Sequence, residues 1–468
     1  MYVHCCLRLR SSIAKFFVLF GIALFGPVAL ADESRPNVIV ILGDDLGWGE
    51  FDDDEAGDLP TPHIDSIATN GIRFPQGYVS GPYCSPTRAG LMTGRYQTRF
   101  GHEFNPGRIH GLSLEEKTFA DRLKSAGYAT AAIGKWHLGN SPEFYPTRRG
   151  FDEFYGTLNN TPYYHPQLVD SRKSEEPQRV DEEGFYTTDA FTRRAVEWIG
   201  EHKDEPFFLY LPYNAQHAPL QATQKYLDRF KDISDEKRRT FAAMLAAMDD
   251  GVGAVLSALK EHQLEERTLV VYFTDNGGPT AQTTSNNLPL RGFKATTNEG
   301  GVRVPFYMQW KGRLPAGKVY EHPIIQLDLL PTALAAAGVE APADAKLEGV
   351  NLLPYLTGEK TEAPHESLFW RFGKQWAIRQ GDWKLVASRI DDNKPQLFNL
   401  ADDIGEAKDL AAEQPEKVAT LQAAWDKWDA DNVAAKWLPD PNKQKKKAAK
   451  KQGPKNKRGR KARQADKN

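Results

Sequence analysis

Cysteine is the rarest residue in this chain: three in 468 residues, Cys5, Cys6 and Cys84. The first two fall in a stretch laid out like a secretory signal. Arg8, Arg10 and Lys15 form a basic start, "FFVLFGIALFGPVAL" an apolar run, and Ala29-Leu30-Ala31 a small-x-small cleavage pattern. A retained membrane anchor is the alternative. The run is shorter than the roughly 20 residues a bilayer span needs, and Gly21, Gly26 and Pro27 interrupt it. The expectation is therefore cleavage after Ala31 and export, periplasmic or secreted. No other long apolar run exists, so no stable membrane span is expected. With Cys84 alone remaining, the exported chain forms no internal disulfide, although its compartment would permit one. Its stability must come from its core, and about 400 residues suffice for a large one divided into more than one unit. A single odd cysteine in an exported protein calls for an explanation.

Charge is short in one place and crowded in another. Residues 443–467 hold thirteen Lys/Arg against Asp466 alone, a net +12. The signal adds +3, so a chain of net −2 hides a body of −17. Beyond Pro439 the tail also lacks apolar residues and is expected to be disordered. It reads either as a solvated extension or as a holdfast on an anionic polymer or surface. Export and the acidic body argue against nucleic acid. No internal repeat is present.

Alternating hydrophobicity is also missing from the strand-like segments. "NVIVIL" runs into Asp44-Asp45, "YATAAIG" into Lys135-Trp136-His137, "PFFLYLPY" toward Asn214 and His217, and "TLVVYFT" into Asp275-Asn276. "VRVPFYMQW" is a fifth run, with Pro305 marking an edge or a strand start. Continuous apolar runs predict strands buried on both faces. Helical patterns lie between them over 114–126, 189–202 and 237–260. The alternation predicts an α/β fold, a mostly parallel sheet with helices on both faces and its ligand beyond the carboxyl ends of the strands. From about residue 360, "ESLFWRFGKQWAIRQGDWKLVAS" and "PQLFNLADD" predict short antiparallel strands, followed by a helix near 413–428. The expected organisation is a signal over 1–31, a catalytic unit over 32–360, a smaller α+β subdomain over 361–438 and the tail over 439–468.

Asp44, Asp45, Asp275 and Asn276 offer only oxygen ligands, which suits a hard divalent cation such as Ca²⁺ or Mg²⁺. Either pair alone reads as ordinary turn residues after a strand; two such pairs, with no Cys or multi-His alternative, point to metal. Lys135 and His137, two apart beyond a strand end, can face one pocket, although a turn-capping histidine and a solvated lysine fit the pair equally. His217 stands in a similar place with the same alternative. Lys294 lies in a Gly-rich loop, and Lys135, Lys294 and Arg88 together suit an anionic substrate. As a nucleophile Cys84 needs a base, which His137 or His217 could be; as a structural residue it is a small hydrophobe. Neither reading accounts for Cys-Ser-Pro-Thr-Arg.

The segment Cys84-Ser85-Pro86-Thr87-Arg88, continuing "AGLMTGR", resembles the signature of the type I sulfatases, in which a maturation enzyme oxidises the cysteine to Cα-formylglycine. "PNVIVILGDDLGWGE", "AGYATAAIGKWHLG", "GFDEFYG", "PFFLYLPYNAQHAP", "VVYFTDNGG", "LRGFKATTNEGGVRVP" and "LFNLADDIGEAKDLA" are similar to family blocks in the same order, over roughly 35–430. The pattern is nearest to arylsulfatases and N-acetylgalactosamine-6-sulfatase-like enzymes. The resemblance implies an alkaline-phosphatase-like sandwich with a smaller C-terminal antiparallel sheet. It also implies one Ca²⁺ held by Asp44, Asp45, Asp275, Asn276 and formylglycine 84, and hydrolysis of a sulfate ester of a sugar or polysaccharide, with aryl sulfates as surrogates. One hydroxyl of the hydrated aldehyde would attack sulfur. Arg88 and His137 would hold or deprotonate the diol, Lys135 and Lys294 would clamp the sulfate, and His217 with Lys294 would protonate the leaving oxygen. The second hydroxyl, losing its proton to His137, would expel sulfate and restore the aldehyde. His102 lies close after the signature, as a substrate contact or a structural histidine. Two rivals stand: a phosphodiester or phosphonate hydrolase of the same superfamily, and a non-catalytic sulfoglycan-binding protein in which Cys84 stays a thiol.

Overall fold

A computed structural model describes residues 35–51 and 59–438. The expected signal and the basic tail lie outside the described residues. Five of the predicted runs form the heart of a ten-stranded sheet: β1 (Asn37–Gly43), β2 (Ala129–Lys135), β3 (Phe207–Pro212), β4 (Thr268–Thr274) and β5 (Phe306–Gln309). Across the sheet they run β5-β4-β1-β3-β2, and all neighbours are parallel except β5 against β4. Pro305 therefore marks a strand start rather than an edge, since β5 is paired on both sides. With β1 to β4 parallel, their carboxyl ends open on one side. The register sets Gly43 beside Thr274 and Leu42 beside Pro212, which places the following residues at one height.

Both faces of β1 are buried, as continuous hydrophobicity requires. Val38, Val40 and Leu42 join a core with Leu91, Phe119 and Leu330, whereas Ile39 and Ile41 face Phe191, Met244 and Val255 on the other side. The helices α1 (Cys84–Thr93) and α2 (Phe119–Ser125) cover the first face, α3 (Thr187–Glu201) and α4 (Glu236–Glu261) the second. Each fully buried Val, Leu or Ile contributes roughly 1.5–3 kcal/mol by leaving water. The helix α4 is long and apolar enough to cross a membrane, but most of that apolar window is inside the fold. The expected helix over 114–126 starts later, because Thr118 and Asp121 form a capping box that fixes its first turn. Four antiparallel strands, Ser367–Phe372, Gln375–Gln380, Trp383–Ala387 and Pro395–Asn399, make the smaller sheet, and the helix Pro415–Asp429 packs on it.

Candidate active site

The site begins with α1. Tyr83 is extended at its N-cap, and the first regular helical bond is donated by the Thr87 amide to the Tyr83 carbonyl. Pro86 in the first turn has no N–H to leave unpaired. The amide of Ser85 donates to Asn105 Oδ1 (3.2 Å), so this helix start can sit in the interior. All ten helix residues are buried. Cys84 and Arg88 are one turn apart and share a face, which explains the spacing of the two polar residues in the motif.

The loops after the four parallel strands close around Cys84. Its Sγ lies 3.5 Å from Asp44 Oδ1, 3.9 Å from Asp45 Oδ1 and 3.2 Å from Lys294 Nζ. Neither His137 nor His217 bonds the thiol, so the base a thiol nucleophile would need is missing from its contacts. Arg88 donates through Nε and Nη2 to Asp275 Oδ2 (3.0 and 2.7 Å) and through Nη1 to the Lys135 carbonyl (2.8 Å). Lys135 bonds Asp44 Oδ2, and Lys294 bonds Asp45 Oδ1. Three carboxylates thus face three cations in a buried cluster.

Two oxygens in this cluster remain unpartnered. Asn276 Nδ2 donates to Asp45 Oδ1 (2.8 Å), but Asn276 Oδ1 and Asp45 Oδ2 accept no hydrogen bond. His217 Nε2 lies 3.6 Å from Asp45 Oδ2. Buried unpaired acceptors cost about 1–3 kcal/mol each and persist here beside other anionic oxygens. One atom from each of Asp44, Asp45, Cys84 and Asp275 lies within 4.8 Å of all the others. Oxygen donors of this kind, two of them lacking a proton to accept, fit a hard divalent cation.

The backbone is bent to make this arrangement. Asp45, His137 and Ala295 have φ of 66°, 61° and 66°. Asp and His enter the left-handed region more readily than most residues; Ala does so here with its amide bonded to the Pro82 carbonyl (2.7 Å). Such conformations cluster where function demands geometry.

Electrostatics follow from burial and these pairs. Burial raises the Asp44 and Asp45 carboxyls, but Lys135 and His217 overcome it for Asp44, and Lys294 and His217 for Asp45, so both end below the usual range. Burial and Asp44 hold Asp275 above it, against Arg88. Burial and Asp275 push the Cys84 thiol well above its ordinary value. His137 is held neutral by burial and by Lys135 and Arg88, and its Nδ1 has no partner. His217 is also lowered, chiefly by burial; its Nδ1 donates to the Ala218 carbonyl (2.6 Å), leaving Nε2 toward Asp45.

His102 has a different place. Its Nε2 is 2.6 Å from Ser85 Oγ, which in turn donates to the His137 carbonyl (2.7 Å). Burial lowers its pKa to about 3, and its ring meets Trp437 edge-on. It braces the start of α1 and the turn bearing His137.

Outward from Cys84 the site opens into a cavity of about 950 Å³, reached past Tyr83, His137 and Ala295. Several of its walls were not foreseeable from motifs. Phe372, Lys374, Gln375 and Arg389 come from the small C-terminal sheet and its turns, and Trp437 and Leu438 from the end of the described chain. The Lys294 ammonium also stands 5.0 Å from the Tyr83 ring centroid. Arg389 donates to the Lys294 carbonyl (3.2 Å) and Gln375 to the Ala295 carbonyl (3.1 Å), so the second sheet props the loop that delivers Lys294.

Residues 36–339 match the Sulfatase family model, and 294–427 match that of the C-terminal region of N-sulphoglucosamine sulphohydrolase. The chain is 31% identical over 461 residues to N-acetylgalactosamine-6-sulfatase of Canis lupus familiaris, covering 86% of this chain and 87% of that protein. It is 30% identical over 491 residues to the uncharacterized sulfatase YdeN of Escherichia coli (strain K12), covering 85% and 86%. Among solved structures, Ps i-CgsB in complex with k-i-k-neocarrahexaose superposes with a TM-score of 0.79 at 34% identity, covering 90% of this chain and 98% of that one. On these matches the chain belongs to the sulfatase family and is a sulfuric ester hydrolase.

Proposed function

We propose that the protein hydrolyses a sulfate ester on a sugar or oligosaccharide, with Cys84 matured to Cα-formylglycine by a separate maturation enzyme. The observation that carries this reading is the convergence on residue 84 of Asp44, Asp45, Asp275, Arg88, Lys135 and Lys294. A thiol held protonated and unpaired with a base is a poor nucleophile, whereas a hydrated aldehyde at the same atom has two hydroxyls to use. The names of the relatives, and the neocarrahexaose bound in Ps i-CgsB, support a sulfated carbohydrate as substrate.

In this reading one hydroxyl of residue 84 attacks sulfur and the ester S–O bond breaks. His217 Nε2, the nitrogen not tied to the Ala218 carbonyl and unprotonated at rest, takes up the proton of the attacking hydroxyl and delivers it to the departing sugar oxygen. Lys135 and Lys294 lie beside residue 84 or its carboxylate partners and oppose the sulfate charge as it shifts. Arg88 fixes Asp275 and the Lys135 carbonyl, holding the floor of the site. His137, neutral and with Nδ1 free, takes the proton of the remaining hydroxyl; the C–O bond to sulfate then breaks and the aldehyde returns. Asp44, Asp45, Asp275, Asn276 and residue 84 would hold one Ca²⁺, which when bound supplies positive charge against the sulfate oxygens. The basic N-terminal and apolar features of the sequence support export.

The test is paired initial rates on 4-nitrophenyl sulfate and 4-nitrophenyl phosphate. Protein co-expressed with a maturation enzyme should turn over the sulfate faster, and chelation should abolish that rate. A preference for phosphate would move the assignment to the phosphoester hydrolases of the superfamily.

A further inference from the structure

The body of this protein is acidic by sequence, yet the cavity outside residue 84 contains no Asp or Glu among the described residues that line it. It contains three cations instead: Arg108, Lys374 and Arg389. They come from two sides, Arg108 from the loop that follows α1, Lys374 and Arg389 from turns of the C-terminal sheet. None forms an ion pair with a described residue, and all three are exposed to the cavity solvent. Several exposed arginines elsewhere find acids, as Arg148 does with Glu175 and Arg179 with Asp181, although Arg193 and Arg313 form no ion pair with a described residue. Arg389 is moreover held in place. Its guanidinium lies over the Phe293 ring (5.3 Å) and donates to the Lys294 carbonyl, which ties it to the loop carrying a lysine of the reacting centre.

The rest of the wall is amide and aromatic. Asn105, Asn140, Asn159, Asn160 and Asn393 supply neutral hydrogen-bonding groups. Phe104 and Phe372, with centroids 5.0 Å apart, and Trp437, stacked on His110 at 5.1 Å, supply flat apolar faces. Side-chain amides suit hydroxyls, and aromatic faces suit the C–H faces of sugar rings. The volume, at the upper end of the roughly 300–1,000 Å³ usual for ligand sites, exceeds what one sugar ring fills. Anions held by arginine gain directional, charge-assisted bonds, and here they meet no competing carboxylate. Leu438, the last described residue, is also on this wall, and the sequence beyond it carries net +11.

We infer that Arg389, Lys374 and Arg108 form a second anion subsite, and that the substrate is an oligosaccharide bearing at least one further sulfate besides the one removed. The inference rests on the sulfated-sugar reading above and specifies it. Lys374 and Arg389 are specificity-determining residues: they select for the neighbouring charge and take no part in breaking the S–O bond.

Binding separates this claim from the chemistry. The probes are two galactan tetrasaccharides, one with a single sulfate ester and one sulfated on every residue. Their affinities for the full-length Cys84→Ala protein are measured by calorimetry. The fully sulfated probe should bind more tightly by about tenfold or more, the yield of one or two charge-assisted contacts. In Cys84→Ala/Lys374→Ala/Arg389→Ala this preference should shrink to about twofold, and Lys374→Glu should invert it at low salt. Arg389→Lys, keeping charge but losing the planar fork, should retain part of it. No preference in the Cys84→Ala protein, or a preference untouched by the triple substitution, overturns the subsite. Turnover of 4-nitrophenyl sulfate by matured protein is scored in parallel. Its loss with the preference intact would count against the hydrolytic mechanism and leave the subsite standing.

Discussion

Two clusters of buried charge sit within the same fold and are built to different ends. Around residue 84, Asp44, Asp45 and Asp275 face Arg88, Lys135 and Lys294, and two acceptors, Asp45 Oδ2 and Asn276 Oδ1, are left without hydrogen bonds. Between the main body and the C-terminal sheet, Glu299 and Glu406 surround Lys384. There three of the four carboxylate oxygens accept a hydrogen bond, and the fourth, Glu406 Oε1, lies within ion-pair distance of Lys384 without one. Lys384 Nζ is 2.7 Å from Glu299 Oε1 and 3.1 Å from Glu406 Oε1; Tyr78 donates to Glu299 Oε2 (2.6 Å), and the Glu299 amide to Glu406 Oε2 (2.9 Å). The second cluster is closed and serves attachment: it locks the loop after residue 298 to the small sheet, which in turn supports the Lys294 loop. The first opens to a cavity and keeps capacity in reserve. Burial of charge alone therefore does not mark a function; unspent acceptors beside an open wall do.

The comparison can be broken from either side. Asp45→Asn should lower kcat/KM for an aryl sulfate by about 10²–10³-fold, the usual loss when one preorganised charge is removed from such a site. Its stability in metal-free buffer should fall by less than about 3 kcal/mol: the buried ion pair with Lys294 is lost, but the Asn carbonyl oxygen can still accept from Lys294 and Asn276 and the repulsion from Asp275 is relieved. Added Ca²⁺ should raise the Tm of the parent protein and leave that of Asp45→Asn unmoved, since a ligand stabilises only the fold that binds it. Thermal scans with and without Ca²⁺ read both results. A large loss of stability in metal-free Asp45→Asn would place the two clusters in one class.

Lys384→Met is the converse case. It strands two buried carboxylates and should cost about 3–5 kcal/mol in denaturant unfolding, while the folded fraction keeps its metal response. A cost below about 1 kcal/mol would deny the closed cluster its structural role.

A smaller effect concerns acid. Burial raises the Glu299 carboxyl, but Lys384, Arg303 and Arg379 more than reverse this and bring it to about 2. A carboxyl lower in the fold than in the unfolded chain contributes stability above its unfolded value, near 4.3. That contribution fades as pH falls from there toward about 2. Glu406 is raised by burial and by Glu299, so it takes up its proton first. The stability difference between the parent and Glu299→Gln should therefore shrink as pH falls through this window. A difference that grows toward acid would contradict the pairing.

Truncation after residue 442 is the mildest change. It should leave the Tm within about a degree, since none of the described contacts is removed, but lower the salt concentration that elutes the protein from a sulfated polymer. Elution at unchanged salt would detach the tail from polyanion binding.

The legible parts of this protein are those where local chemistry and chain order coincide. The apolar runs name β1 to β5, and polar residues at or after the ends of the four parallel strands β1 to β4 are in the cluster because parallel strands share one open edge. Arg88 is legible through the resemblance of the Cys84–Arg88 segment to the family signature, and α1 sets it one turn from Cys84. His102 was open between substrate and scaffold, and its bond to Ser85 places it in the scaffold. The cavity wall was hidden: Lys374 and Arg389 are polar residues in turns, and nothing in "RFGKQW" or "VASRIDD" tells a cavity cation from a solvated one. The closed cluster was hidden for a related reason. Tyr78, Glu299, Lys384 and Glu406 are dispersed over more than three hundred positions, and Glu299 in "TTNEGG" reads as a loop acid until the second sheet folds over it.

The central claim concerns the chemical identity of residue 84. The direct measurement is peptide mass spectrometry of the segment spanning it, on preparations made with graded amounts of maturation enzyme, set against specific activity on an aryl sulfate. The account predicts activity proportional to the formylglycine fraction, extrapolating to none when every residue 84 is a thiol. Full activity in a preparation containing only the unmodified thiol would contradict it.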